Sequence, residues 1–541
     1  MIRRLSLLVF LSLLVCLLGT MSVSAQDSTT GTEGLPWWND RVFYQMFVRS
    51  FFDSDGNFSG DFQGIIQKLD YLNDGDPNTT ADLGITGLWL MPIFDGPTYH
   101  GYAVTDYNSV ESDYGTNDDF KALVAAAHER GIAVIIDMVA NHTSSEHPWF
   151  QESQTAGSAK DQWYRWSTVN PAQIGPWGQT VWHSRGDRYY YGVFDGSIPD
   201  LNLRNPAVTQ AVYDFTRFWL DDMGVDGLRL DGARYYVEDK NKLASSAGNM
   251  TWLTRYYEYI RSVKADSFTI GEVWTGTPEV KLYVPGALDA AFNFDLQTAL
   301  VDGIRSGQAN MIASAQNAAT RSFPPGQYGV FLANHDQDRL MSQLNGNIEQ
   351  AKVAAGLLLT NPGVPFIYYG EEIGMTGKRQ RDDGCRRTAF QWTSEHIVLP
   401  YDSGQNCGTN EATANVEAET GDPASLLSTY RDLIRVRAAS PALRVGNFDR
   451  LSAESGSVYA FLRQSAQETV LVLVNLSNKA DSGYVLSAEE STLSGSYTAE
   501  MLYGESEAGA LEVGANGAFS GYQPLLELPP FSTTIIRLNP A

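Results

Sequence analysis

The chain has 541 residues, too many for one hydrophobic core, so two or three domains are expected. Lys and Arg number 38 against 63 Asp and Glu, a net charge of −25. Such a surface repels nucleic acid and anionic membranes and suits a neutral substrate, although acidity also serves solubility alone.

At the start, Arg3 and Arg4 precede an apolar run from Leu5 to about Leu18, and Ser22-Val23-Ser24-Ala25 follows before Gln26. Small residues there match what a signal peptidase reads, so residues 1–25 are expected to be a cleaved secretory signal. The run is shorter than the roughly 20 residues a spanning helix needs. Cys16 does not mark a lipoprotein, because it lies mid-run behind Val15. No other long apolar segment follows, so the mature protein is expected to be extracellular and free of the membrane. Residues 26–36 are rich in Ser, Thr and Gly and are expected to be a flexible leader.

Eight segments then read as short buried strands: Val42–Phe51, Gly84–Ile93, Ile132–Val139, Val225–Gly232, Phe268–Trp274, Ala290–Leu296, Tyr328–Asp336 and Val364–Glu371. Helical apolar stripes fall between several of them, at Gly60–Leu72, Asn117–Gly131, Trp252–Val263 and Ile348–Leu359. This alternation predicts an α/β fold, a closed (β/α)8 TIM barrel over residues 37–142 and 206–444. An open doubly wound sheet is the rival, but it would usually carry a Gly-rich phosphate turn, and none is found. Residues 143–205, rich in Trp, Tyr, Gly and Ser, break the rhythm and read as a subdomain inserted after the third strand. Its aromatics, Trp149, Trp163, Tyr164, Trp166, Trp177 and Trp182, are expected mostly in the subdomain core, with some in a cleft. Leu426–Arg437 reads as a closing helix, and 445–541 as an all-β sandwich with strands at Ser457–Leu462, Thr469–Leu476, Tyr497–Leu502 and Thr533–Leu538.

The stretch Gly227–Tyr235 organises the chemistry. Leu228 and Leu230 point one way, Arg229 and Asp231 the other, at a strand's C-terminal end, where barrel active sites sit. Taken alone this is as well explained by a structural ion pair. However, Glu272 ends the fifth strand and Asp336 the seventh, with His142 and His335 also at strand ends. Cleaving a glycosidic bond with retention needs a nucleophile and an acid/base about 5–5.5 Å apart, the acid with a raised pKa.

These stretches resemble glycoside hydrolase family 13, the α-amylase family, in a group between α-amylases or neopullulanases and oligo-1,6-glucosidases. The likeness rests on Gly84–Ile93, Asp137–His142, Ile198–Asn202, Gly227–Tyr235, Gly271–Trp274, Phe331–Asp336 and Gly363–Glu372, in the family's order. It implies Asp231 as nucleophile, Glu272 as general acid/base, and Asp336 as the residue that binds hydroxyls of the distorted sugar. Arg229 would orient Asp231. His142 and His335 would donate to sugar hydroxyls, and His100 and Tyr102 would line the same subsite with Tyr102 as a stacking platform. Arg234 and Tyr235 would face the leaving group. Two departures from the family pattern stand out: Ala103 where Asp is common, and Gly232-Ala233-Arg234-Tyr235 where Ala-x-Lys-His is common.

Two calcium sites are expected. Asp53, Asp55, Asn57, Ser59 and Asp61 set oxygens at alternate positions in one loop, as a hard cation requires. A second site, implied by the resemblance, would join Asn141, Asp200 and the Tyr235 carbonyl and clamp the insert to the barrel. Outside the signal, Cys385 and Cys407 either pair across one polar loop or stay free. The expectation is therefore a secreted, monomeric, retaining endo-acting α-1,4-glucan hydrolase. An exo-acting α-glucosidase, oligo-1,6-glucosidase or transglycosylase is the enzymatic alternative, and a sugar-binding relative without activity the other.

Overall fold

The computed structural model describes residues 30–240 and 242–541; the signal-like segment 1–25 lies outside the described residues. The barrel strands are β1 (Phe43–Met46), β2 (Gly87–Leu90), β3 (Ala133–Met138), β4 (Gly227–Leu230), β5 (Phe268–Gly271), β6 (Ala290–Phe292), β7 (Tyr328–Phe331) and β8 (Val364–Tyr368). They close in the order β1-β8-β7-β6-β5-β4-β3-β2 with parallel neighbours. Each falls within one expected run. The runs are longer because apolar burial continues past the ladder. Val42–Phe51 was expected to be one strand, but it turns at Phe47 into the short helix Val48–Phe51, with Val48 and Phe51 still buried.

The barrel interior is aromatic. Phe43 stacks on Phe366 at 4.8 Å and Trp89 on Phe292 at 5.2 Å, forming a floor under Arg229. Leu228 and Leu230 point outward into the layer under the helices, as the alternation requires. The helix Asn117–Glu129 begins at a capping box of Thr116 and Asp119 and buries Phe120, Leu123, Val124 and Ala127. Asp61 caps the helix Phe62–Leu72 by accepting from the Gly64 amide.

The insert holds the short helix Pro148–Ser153 and a three-stranded sheet of Trp166–Ser167, Arg188–Tyr191 and Trp182–Arg185. A backbone bridge of His142 to Asp200 ties it to the barrel rim, and one of Tyr164 to Leu201 closes it on itself. The C-terminal domain is a six-stranded antiparallel sheet and a three-stranded sheet around their own core. Its Tyr459, Phe461, Val470, Val472, Val474 and Ile535 join the apolar layer of the barrel helices, so the two domains share a core.

The expected leader is corrected in part. From Thr30 onward the chain is held, with the Thr32 amide and hydroxyl bonded to Asp40 and Arg444. Cys385 and Cys407 lie with their sulfurs 2.12 Å apart. Among the described residues no helix is long and apolar enough to cross a membrane.

Candidate active site

One guanidinium organises the barrel mouth. Arg229, 1% exposed, reaches three carboxylates: Nη1 donates to Asp137 Oδ1 at 2.6 Å and to Asp231 Oδ1 at 2.7 Å, and Nη2 to Glu272 Oε2 at 2.9 Å. The Gly232 amide donates to the same Glu272 oxygen at 3.0 Å. Gly232 has φ +51°, and a Cβ there would meet the Phe194 ring at 2.9 Å, so glycine is required. Among the described residues nothing hydrogen-bonds the other oxygens, Asp231 Oδ2 and Glu272 Oε1, and both side chains keep some exposure, 12% and 18%. Each acid thus has one oxygen fixed by the barrel and one offered to the cleft.

The surroundings separate the acids electrically. Burial pushes Glu272 up to about 7, with Asp231 and Asp336 adding to the rise and Arg229 opposing it. Burial also raises Asp231, against the Arg229 charge. Asp336 lies lower than an ordinary carboxylate: burial opposes its charge, but His335, Arg387, Arg229 and Arg386 outweigh that. One group is therefore poised to hold a proton near neutrality beside one held ionised, the division of labour an acid and its partners need.

Asp336 is gripped from a loop beyond β8. Arg387 Nη2 donates to its Oδ1 at 2.9 Å while Arg387 Nε donates to the His335 carbonyl at 3.0 Å. Arg386 Nη1 donates to the Asp336 carbonyl at 2.7 Å. The Gln45 amide donates to His335 Nδ1 at 2.6 Å, so His335 Nε2 carries the hydrogen and faces the Tyr102 hydroxyl at 2.6 Å. That hydroxyl donates to Asp137 Oδ2 at 3.0 Å, and the Tyr102 ring lies parallel to His335 at 5.7 Å. Burial depresses His335 to about 3 and His142 and His100 to about 4, so all three are neutral donors.

The structure brings Asp231, Glu272, Asp336, Arg229, His335 and Tyr102 into one network. His142 is placed differently from its expected role. Its Nε2 donates to the Tyr102 carbonyl at 3.0 Å and its Nδ1 faces the Asn141 amide at 3.4 Å, so it braces Tyr102 rather than offering a hydrogen to a sugar. His100 Nδ1 accepts from the Tyr102 amide at 3.0 Å. Sequence reasoning missed Asp137, Gln45, Arg386 and Arg387.

On the Glu272 side, a cavity of about 240 Å³ is lined by Trp177, Phe194, Arg234, Tyr235 and Trp274. Trp274 stacks on Phe294 at 4.6 Å and is 46% exposed; Trp177, from the insert, is 58% exposed. Arg234 and Tyr235 do face this side, but the Arg234 guanidinium is held by the Trp274 carbonyl at 2.7 Å and Glu279 at 3.0 Å. The other insert tryptophans pack inward, Trp149 and Trp163 at 4.7 Å from each other.

Both candidate metal loops have donor sets that fit a hard cation. Asp53, Asp55 and Asp61 each offer an oxygen, all within 4.8 Å of one another. Asn57 Oδ1 accepts from the Ser59 amide at 2.7 Å, which tightens the same loop. At the second place Asn141 Oδ1 and Asp200 Oδ2 are buried and, among the described residues, without a hydrogen-bond partner, while Asp200 Oδ1 takes the Val193 amide at 2.9 Å. Two orphaned buried acceptors are what a cation would satisfy.

A family model described as the alpha amylase catalytic domain matches residues 45–446. The chain is 36% identical over 453 residues to Alpha-amylase 3 of Dictyoglomus thermophilum, covering 82% of this chain and 85% of that one. It is 30% identical over 522 residues to the oligo-1,6-glucosidase of Parageobacillus thermoglucosidasius, covering 82% and 91%. Among solved structures it is similar to the alpha-amylase from H. orenii, with TM-score 0.80, 36% identity, and coverage of 92% and 99%. Matched over most of its barrel and carrying these acids at the mouth, the chain belongs to the α-amylase family of glycoside hydrolases and is an enzyme that hydrolyses glycosidic bonds.

Proposed function

We propose that the chain is a secreted, retaining, endo-acting α-1,4-glucan hydrolase. The observation that carries the mechanism is the single guanidinium shared by Asp231 and Glu272. It holds the two acids as a close pair, in keeping with the roughly 5–5.5 Å of retaining enzymes rather than the wider gap that admits a water. Asp231 Oδ2 attacks the anomeric carbon as Glu272 Oε1 gives its proton to the leaving oxygen. A water then enters, loses a proton to Glu272, and displaces Asp231 with the original configuration. Asp336, held ionised by Arg387, binds ring hydroxyls and favours the positively charged transition state. Tyr102 supplies a stacking face, His335 braces its hydroxyl, and His100 keeps a ring N–H to donate.

Support for the polymer substrate comes from the signal-like N-terminus, since polymers cannot enter cells, and from the relatives named alpha-amylase. The oligo-1,6-glucosidase relative supports the second reading, an exo-acting enzyme on short chains. Products separate the two: cleavage of dyed insoluble starch and of end-blocked maltooligosaccharides supports endo action, and glucose released from chain ends overturns it. Asp231→Asn should abolish hydrolysis; unchanged turnover would remove Asp231 as nucleophile. We assign calcium to both loops, the Asn141–Asp200 site fastening the insert against the barrel, and pairing of Cys385 with Cys407 fits export to an oxidising compartment.

A further inference from the structure

At the end of the barrel opposite the acids, a cleft of about 740 Å³ opens between the N-terminal ends of β1, β7 and β8 and the first strands of the C-terminal domain. Arg463 lies in its wall, 1% exposed. Its Nη1 donates to the Thr360 carbonyl at 2.6 Å, and its Nε and Nη2 to the Gly446 carbonyl at 3.3 and 3.1 Å. These bonds use three of the five N–H groups that a guanidinium carries. Behind it lies Arg437, also 1% exposed, bonded to the carbonyls of Leu359, Leu443 and Gly363. Arg444 completes the cluster: burial disfavours the Arg437 charge most, Arg463 and Arg444 add to that, and Asp40 opposes it.

Arg444 has Asp40 at 2.9 Å, but among the described residues neither Arg437 nor Arg463 pairs with an acid. Nor do Arg321 and Arg450, exposed residues on the cleft wall. Asp449 and Glu490 also line the cleft, but among the described residues neither bonds Arg463, whose charge burial disfavours. Buried cations are normally paired, and carbonyl bonds only partly replace a counter-charge. In a chain of net charge −25, a cleft lined by four arginines against two acids is out of keeping with the rest of the surface.

We infer that this cleft binds a small oxyanion of the phosphate or sulfate kind, on Arg463 with Arg321 and Arg450 at the rim, and that the bound anion ties the C-terminal domain to the barrel. Forked guanidinium donors match tetrahedral oxygens in pairs, which a halide cannot reproduce. A second glucan site is disfavoured, because Phe323 and Tyr328 are buried at 4% and 2% and Phe448 packs on Phe461 at 5.3 Å, leaving no stacking platform.

The test is calorimetric titration of inorganic phosphate into the whole enzyme, with melting curves in phosphate and in chloride at equal ionic strength. The expected result is saturable binding of one phosphate per chain and a melting temperature raised by phosphate but not by chloride. Arg321→Ala with Arg450→Ala, both exposed and far from the catalytic acids, should weaken binding about tenfold or more, as loss of charge-assisted hydrogen bonds does, and leave hydrolysis unchanged. Arg463→Lys should keep the charge but lose the fork and bind more weakly. No binding heat, or an equal rise with chloride, overturns the inference. So does a phosphate effect that the Arg321/Arg450 variant keeps in full, which would be general salting.

Discussion

Replacing Glu272 by Gln isolates the proton it is assigned to give. The fixed oxygen, Oε2, accepts from Arg229 at 2.9 Å and Gly232 at 3.0 Å, and a glutamine carbonyl accepts both bonds equally well. The fold and the Asp231 anchor should therefore survive, and the change falls on Oε1. General acid catalysis contributes roughly 10²–10⁴ in rate, or about 3–5 kcal/mol of barrier. A maltooligosaccharide, whose leaving alkoxide needs a proton, should lose that much in kcat/KM. A glycosyl fluoride, whose leaving group needs none, should form the covalent intermediate nearly as fast as in the parent enzyme. The parent's kcat/KM should fall on an alkaline limb near pH 7, where Glu272 deprotonates, and the variant should lack that limb. Stopped-flow fluoride release and steady-state hydrolysis across pH measure both. Equal losses on the two substrates, or an alkaline limb kept in the variant, would refute Glu272 as the acid.

Arg229→Met leaves Asp137, Asp231 and Glu272 without their shared cation, and should cost about 3–5 kcal/mol in urea unfolding at pH 8. Burial already raises Asp137 and Glu272 to about 7 against that cation, so without it they rise further. The folded variant then binds more protons than the unfolded chain, and its deficit should shrink as pH falls towards 5. Arg387→Met can bond neither Asp336 nor the His335 carbonyl; kcat/KM should fall roughly 10–100-fold, and the acid limb should move to higher pH as Asp336 loses a charge that holds it down. Trp177→Ala should raise KM for maltooligosaccharides about 2–10-fold, the worth of one stacking contact, and leave glycosyl fluorides unaffected. Chelation should lower the melting temperature by the binding free energy lost, about 2.7 kcal/mol if calcium stood at a hundred times its Kd; no shift would count against held ions.

The barrel was legible because strands covered on both faces are nearly continuous apolar runs, and all eight stand out against the amphipathic helices. Their ends were not, since Phe47, Val48 and Phe51 stay buried after the backbone has left the ladder. The three acids were legible from their place at strand ends. Asp137 and Gln45 carried a signal that went unused: a carboxylate inside Ala133–Met138 and an amide inside Phe43–Met46 are polar groups in buried strands, and each must find a partner. Arg387 carried none, because it sits in an aperiodic loop with no apolar pattern to fix where its side chain points. His142 stands at the strand end as expected, and no spacing reveals that a carbonyl forty residues back takes its hydrogen.

Asp336 follows β7, yet two of the groups that grip it, Arg386 and Arg387, belong to a long excursion beyond β8. Two of the three acids are thus set by the barrel strands and their turns, and the third in part by a loop attached to them. Exchange of that attachment between related chains should retune which sugar is grasped while leaving intact the machinery that breaks the bond.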